Sequence, residues 1–94
     1  MPNARPQSSG RHDANLNEWL LVISMNPFDP AQVEIRLAGR IFNDQRGRFP
    51  DGNWVITSRV RSPQRLIKPG AIIGTLNTRY HLGARSGRKN VTLI

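Results

Sequence analysis

The sequence has no cysteine and only two histidines. Without cysteine, the chain has neither disulfides nor thiolate metal sites. A zinc site needs three or four ligands with supporting hydrogen bonds, and His12 and His81 belong to no pattern with metal-ligand spacing. We therefore expect no metal and no other cofactor.

Recognisable catalytic patterns are missing as well. No serine lies in a nucleophile elbow, and no glycine-rich phosphate loop opens a helix. The 6 acidic residues are scattered and stand mostly in turn-forming segments, where turn chemistry explains them. We predict a non-enzymatic protein with no catalytic residue.

Long hydrophobic runs are also absent. The longest one, Trp19 to Ile23, is far too short to cross a bilayer. No basic segment near the start leads into the apolar run of a secretory signal. We expect a soluble, cytoplasmic protein that does not enter membranes.

Positive charge is what the sequence has in excess. There are 14 basic residues against 6 acidic ones, a net charge of +8, and all the basic residues except Lys68 and Lys89 are arginine. The arginine fork suits phosphate and carboxylate groups, and this balance is typical of nucleic-acid-binding proteins. A GC-rich genome explains the choice of arginine over lysine equally well, but it explains the net charge less well.

The composition divides the chain into three parts. Residues 1–15 lack apolar periodicity and are predicted to be a flexible tail. Residues 16–83 are predicted to form a single β domain, whose small core favours a homodimer. Residues 84–94 form a basic segment, and residues 91–94 either add a short strand or fray.

Three segments alternate between apolar and polar residues with the period of a β-strand. They are residues 32–41, 53–61 and 71–82. The odd-numbered residues of the first segment and the even-numbered residues of the other two are expected to face the core. Residues 18–25 are apolar on both sides, which fits a strand or a short helix, and Val22, Ile23 and the following Pro27 favour a strand. Gly39 is predicted to mark a bulge or kink.

Turn signals separate these segments. Pro50-Asp51-Gly52 is predicted to form a turn with a left-handed glycine, and Lys68-Pro69-Gly70 fits a type II turn preceded by a short strand over residues 65–68. We predict an all-β fold, a small antiparallel meander that closes into a bent sheet or an SH3-like or OB-like barrel.

The same alternation predicts a basic face. If the apolar sides face the core, five arginines point outward from the sheet, and two more lie in the loop 43–52. Arginine on a common face suits a phosphate backbone, although the outer face of a sheet is polar in any case. The candidate binding residues are Arg36, Arg40, Arg46, Arg48, Arg59, Arg61 and Arg79.

The aromatic residues narrow the choice of partner. Trp54 and Tyr80 are predicted on the core side, so few rings remain for bases to stack on, which argues against base-by-base reading of single strands. We predict contact with the backbone of a nucleic acid, DNA or RNA. The alternative is a phage or mobile-element accessory or inhibitor protein that docks on an acidic surface of a host protein.

Two segments carry a resemblance. The stretch Arg46-Gly-Arg-Phe-Pro-Asp-Gly-Asn-Trp-Val-Ile-Thr-Ser-Arg-Val60, followed by Thr75-Leu-Asn-Thr-Arg-Tyr-His-Leu-Gly83, resembles a pattern in small uncharacterised proteins of bacteria and their phages. The resemblance implies a prokaryotic or mobile-element origin and transfers no binding residue. It also implies that Asp51, Gly52, Thr57, Tyr80 and Gly83 are determinants of the fold.

Overall fold

The computed structural model describes residues 12–93, apart from the side chain of Pro30, and the fold of this part is all-β. The strands of this part are β1 (Ala14–Asn26), β2 (Asp29–Phe42), β3 (Trp54–Ile56), β4 (Ile72–Gly74), β5 (Arg79–Leu82) and β6 (Val91–Leu93). They form one mixed sheet in the order β3-β2-β1-β5-β4, with β6 also paired to β1. A 3₁₀ turn, Gln64–Leu66, takes the place of the short strand predicted over residues 65–68.

A long hairpin of β1 and β2 is the frame of the molecule. The two strands have 13 and 14 residues, which at about 3.3 Å per residue accounts for most of the 52 Å length of the molecule. Residues 18–25 lie inside β1, so the preference for a strand over a helix is confirmed. The flexible tail predicted over residues 1–15 is too long, because β1 begins at Ala14, which is buried. Residues 1–11 of that tail lie outside the described residues.

The bulge predicted at Gly39 lies on its partner strand. The register of β1 against β2 shifts between Asn17 and Leu20, and Glu18 takes a φ of 52° there. A Cβ on Gly39 would lie 2.9 Å from the carbonyl oxygen of Asn17 and 3.2 Å from the Cα of Trp19. Glycine is therefore required opposite the bulge, which turns Trp19 into the core.

The second edge of β1 is covered by the end of the chain. β5 and then β6 pair with β1 in parallel. Between them, the Glu18 amide donates to the Ala84 carbonyl and the Ser86 amide donates to the Trp19 carbonyl. The expected purely antiparallel meander is thus replaced by a mixed sheet. Residues 84–93 extend the domain that was predicted to end at residue 83, and Val91–Leu93 forms the expected short strand.

The second predicted strand is shorter than expected and faces the other way. β3 ends at Ile56, and Val55 and Thr57 are buried while Trp54 and Ile56 are exposed. The cause is the register, because Val55 pairs with Gly39, which lies on the core face of β2, and opposite residues in an antiparallel pair share a face.

The third predicted strand is two strands and a tight turn. The Thr75 hydroxyl accepts a hydrogen bond from the Thr78 amide and donates one to its carbonyl, and both threonines are buried. Consequently the core-facing residue is odd-numbered before the turn, at Ile73, and even-numbered after it, at Tyr80. Alternation continued through the turn therefore gives the correct side for β5 and the wrong side for β4.

The sheet is bent and is not closed into a barrel. Its two ends meet through a bridge between Val60 and Thr75 and a hydrogen bond from the Arg61 amide to the Gly74 carbonyl. The hydroxyls of Ser62 and Ser58 also accept hydrogen bonds from the amides of Gly74 and Leu76. The core lies inside this bend. Its buried members are Ala14, Leu16, Trp19, Leu21, Leu37, Ile41, Val55, Ile73, Tyr80 and Leu82.

Candidate nucleic-acid interface

Arg36 and Arg40 stand on the outer face of β2, as the alternation predicts. Their neighbours Leu37 and Ile41 are buried on the opposite face. Each guanidinium is paired with a carboxylate on the same face, Arg36 with Glu34 at 3.4 Å and Arg40 with Glu18 at 3.4 Å. The positive charge of each of these arginines is therefore partly offset by a neighbouring carboxylate.

Arg61 and Arg79 lie on either side of Gly74 on the outside of the bend. Gly74 pairs with Arg79 in the β4–β5 ladder and accepts a hydrogen bond from the amide of Arg61 on its other side. Two strand spacings of about 4.8 Å each thus separate the two arginine backbones, and the residue between them is a glycine. Among the described residues, the Arg61 guanidinium has no hydrogen bond or ion pair.

Arg59 lies beside Arg36 across the edge of β2. The Thr57 amide bonds to the Leu37 carbonyl and the Val60 amide bonds to the Ile35 carbonyl, so an extra residue is accommodated opposite Arg36. Val60 packs against the core, which leaves Arg59 exposed. We call the outward set running around the bend the arginine band: Arg36, Arg59, Arg61 and Arg79.

Arg46 and Arg48 are both bonded to the turn between β4 and β5. Arg46 donates to the Asn77 carbonyl at 2.6 Å, and Arg48 donates to the Thr78 hydroxyl at 3.1 Å. Both side chains thereby fasten the loop 43–53 to the turn between β4 and β5. We infer that Arg46 and Arg48 stabilise this loop, and that any contact with a nucleic acid would be additional to that role.

Asp44 organises that loop from within. Its carboxylate accepts hydrogen bonds from the backbone amides of Arg46, Arg48 and Phe49 and pairs with the Arg48 side chain at 3.3 Å. Burial alone would raise the pKa of Asp44, but the hydrogen bonds from the Arg48 side chain and from the amides of Arg46 and Arg48 outweigh it and lower the pKa. Burial alone would lower the pKa of Arg48, but its bond to Asp44 leaves that pKa raised.

Trp54 is an exposed aromatic that the alternation wrongly placed in the core. It keeps 46% of its surface accessible, and the Arg40 guanidinium lies 5.8 Å from its ring centre. The ring belongs to a groove of about 280 Å³, which we call the Trp54 groove; its lining residues are Glu18, Arg40, Trp54, Ser86 and Arg88. The signal that could have revealed the outward position of Trp54 is Gly39. Its partner in β3 is Val55, which faces the core and so turns the neighbouring Trp54 outward.

The basic C-terminal segment is ordered along β1 and contributes to this side of the molecule. Arg85 lies 5.5 Å from the ring centre of Trp19 and bonds to Asn90, and Asn90 also accepts from the Leu21 amide. These contacts hold the backbone that carries Ser86 and Arg88 into the groove.

Three further findings concern metal sites, membrane-spanning helices and similarity to known proteins. Within residues 12–93, no group of three or more histidine or acidic side chains is arranged to hold a metal ion. No helix in that range is long and apolar enough to cross a membrane. Comparison of the chain with protein families, with curated proteins and with solved structures gives no match.

Proposed function

We propose that this protein is a non-enzymatic nucleic-acid-binding protein of the cytoplasm that contacts the phosphate backbone with its outer face. The observation that carries the proposal is the arginine band, in which Arg61 and Arg79 flank a residue without a side chain. Two arginines on strands that flank a glycine suit a phosphate, because arginine donates several hydrogen bonds in a fixed plane.

The distribution of carboxylates supports the same surface. Arg36 and Arg40 have carboxylate partners, whereas Arg59 and Arg61 have none among the described residues. A guanidinium without a carboxylate partner attracts phosphate more strongly and releases more counterions on binding. Arg59 and Arg61 are therefore the expected centre of the interface.

The test is affinity measured against salt. Fluorescence anisotropy with labelled single-stranded DNA, duplex DNA and RNA should show a fall of about 10³-fold or more between about 50 and 200 mM salt if six or so phosphates are contacted. Neutralising Arg59→Gln and Arg61→Gln together should weaken binding and make the salt dependence less steep, by about 0.7 to 0.9 in logarithmic slope for each phosphate that is no longer neutralised.

Arg65→Gln with Lys68→Gln is the matched control, since it removes the same charge from two exposed positions outside the band, one within the 3₁₀ turn and one just after it. It should leave the slope almost unchanged. Equal effects of the two double variants, a flat response to salt, or no binding at micromolar protein would each overturn the proposal. A stoichiometric acidic host protein that remains bound after nuclease treatment would favour the phage or mobile-element accessory protein instead.

A further inference from the structure

The Trp54 groove differs in chemistry from the arginine band. The band consists of arginines, of which Arg36 is paired with Glu34, whereas the groove combines a tryptophan ring, a serine hydroxyl and two arginines with the carboxylate of Glu18. Its volume of about 280 Å³ lies near the lower end of the range for small-molecule sites. That volume suits one flat ring system better than an extended chain.

Glu18 is the unexpected member of this groove. A carboxylate repels phosphate, so it weakens a surface that serves only the backbone of a nucleic acid. Its backbone has a φ of 52° in the bulge, a position that glycine adopts far more readily. A glutamate is thus kept at a glycine-type position, and its side chain lines a basic groove.

The carboxylate of Glu18 has acceptor capacity left over. Arg40 Nε lies 3.4 Å from Oε2 of this carboxylate, and the Glu18 side chain is well exposed. A carboxylate accepts about four hydrogen bonds. Further N–H donors of a ligand in the groove therefore have oxygen atoms to bond to.

Trp54 supplies the complementary surface for a flat ligand. Nucleobases stack on exposed aromatic rings in single-stranded complexes, because every base has a π-face. Arg40 lies over one face of the ring and is held there by Glu18 and by a hydrogen bond to the Gly52 carbonyl at 3.0 Å. The ring and the carboxylate are accordingly fixed to each other through one guanidinium.

We propose that the Trp54 groove binds one unpaired guanine of the nucleic acid, stacked against Trp54, with the Glu18 carboxylate accepting hydrogen bonds from its N1–H and N2–H groups. This proposal rests on the proposed nucleic-acid-binding function. Arg88 lines the groove and supplies a cation for the phosphate next to that base.

The pattern of hydrogen-bond donors favours guanine over the other bases. Guanine has two adjacent N–H donors on its Watson–Crick edge, which match the two oxygens of a carboxylate. Adenine and cytosine place a ring nitrogen acceptor beside their amino group, and that acceptor repels a carboxylate. Thymine and uracil have a single N–H donor between two carbonyl oxygens.

The experiment uses short unstructured strands and tryptophan fluorescence. Trp19 is 2% exposed and gives a constant background, so quenching reports Trp54. A thymidine strand with one central guanine should bind about tenfold or more tightly than the all-thymidine strand, in line with the discrimination of a two-bond contact. The same strand with inosine, which lacks the N2 amino group, should bind with intermediate affinity.

Variants separate recognition by Glu18 from a general effect of charge. Glu18→Gln should abolish the preference for guanine and raise the affinity for the all-thymidine strand, because a negative charge is removed. Glu18→Gly suits the backbone conformation, stays folded and should abolish the preference as well. Glu34→Gln is the matched control, since Glu34 also pairs with an arginine on the outer face and lies outside the groove; it should keep the preference.

The outcomes distinguish this inference from the proposed function. Equal affinity for the guanine, inosine and thymidine strands would overturn the guanine site and leave backbone binding in place. A preference for guanine that survives in Glu18→Gln would overturn the role of the carboxylate. Failure of every strand to bind at low salt would overturn both proposals.

Discussion

Asp44 shows how much a single side chain contributes to the fold. Its carboxylate accepts hydrogen bonds from three backbone amides and from Arg48. Asp44→Asn keeps the shape and turns one acceptor into a donor that faces those amides. We expect the free energy of unfolding to fall by about 2–4 kcal/mol at neutral pH, measured by urea denaturation.

The pH dependence of this destabilisation follows from the lowered pKa of Asp44. A carboxylate whose pKa is lowered in the folded state stabilises fully above its ordinary value of 3.8, and the stabilisation disappears as the pH falls through the folded pKa. The gap between wild type and Asp44→Asn should therefore narrow below about pH 3.8. Asp29→Asn, which affects one exposed turn hydrogen bond, is the control and should change stability by less than about 1 kcal/mol. A constant gap in acid would contradict the assignment.

At the scale of elements, the C-terminal segment is part of the sheet. Ala84, Ser86 and Asn90 supply hydrogen-bond partners along β1, and β6 pairs with its far half. A chain that ends at Gly83 would leave the edge of β1 unpaired beyond the three residues that β5 covers, and it would uncover Trp19. We expect the free energy of unfolding to fall by at least about 3 kcal/mol, or the cooperative transition to disappear.

The control for this truncation keeps the segment and removes its charge. Arg88→Ser with Lys89→Ser in the full chain should unfold within about 0.5 kcal/mol of wild type, because both side chains are exposed. Near-ultraviolet circular dichroism of Trp19 checks both variants. A truncated chain as stable as the full one would show that residues 84–93 are dispensable.

The elements also show what sequence patterns can and cannot predict. Alternation predicts β2 correctly over residues 35–41, where one face of the strand packs in the core, whereas Val33 on the same predicted face is exposed. It fails at Trp54, where the register with Gly39 decides the face, and at Thr75, where a turn resets it. The parallel pairing of β5 and β6 with β1 joins distant segments, and no local pattern encodes it.

The candidate site is predictable only in part, for the same reasons. Arg36, Arg40 and Arg79 lie outward as the alternation predicts, and Arg59 and Arg61 are exposed because Val60 packs inward beyond the end of β3. The Trp54 groove escapes prediction, since it depends on the bulge at Glu18 and on the C-terminal segment, which come together only in the folded sheet.

At the scale of the whole molecule, the net charge of +8 opposes compaction. Within residues 12–93, Arg36, Arg40 and Arg48 are each paired with a carboxylate, whereas Arg59 and Arg61 have no such partner there. Reversing these two positions, Arg59→Glu with Arg61→Glu, should therefore relieve repulsion in the folded state.

We expect this double reversal to raise the melting temperature by about 3 °C at low salt, equivalent to several tenths of a kcal/mol for a domain of this size. The gain should vanish at about 0.5 M salt, where the Debye length is only a few ångströms. Differential scanning calorimetry at both salt concentrations measures it, with Arg65→Gln and Lys68→Gln as the neutralised comparison. A variant that gains stability and binds nucleic acid less tightly would indicate that these arginines are retained for binding, whereas a lower melting temperature would show that they hold the fold.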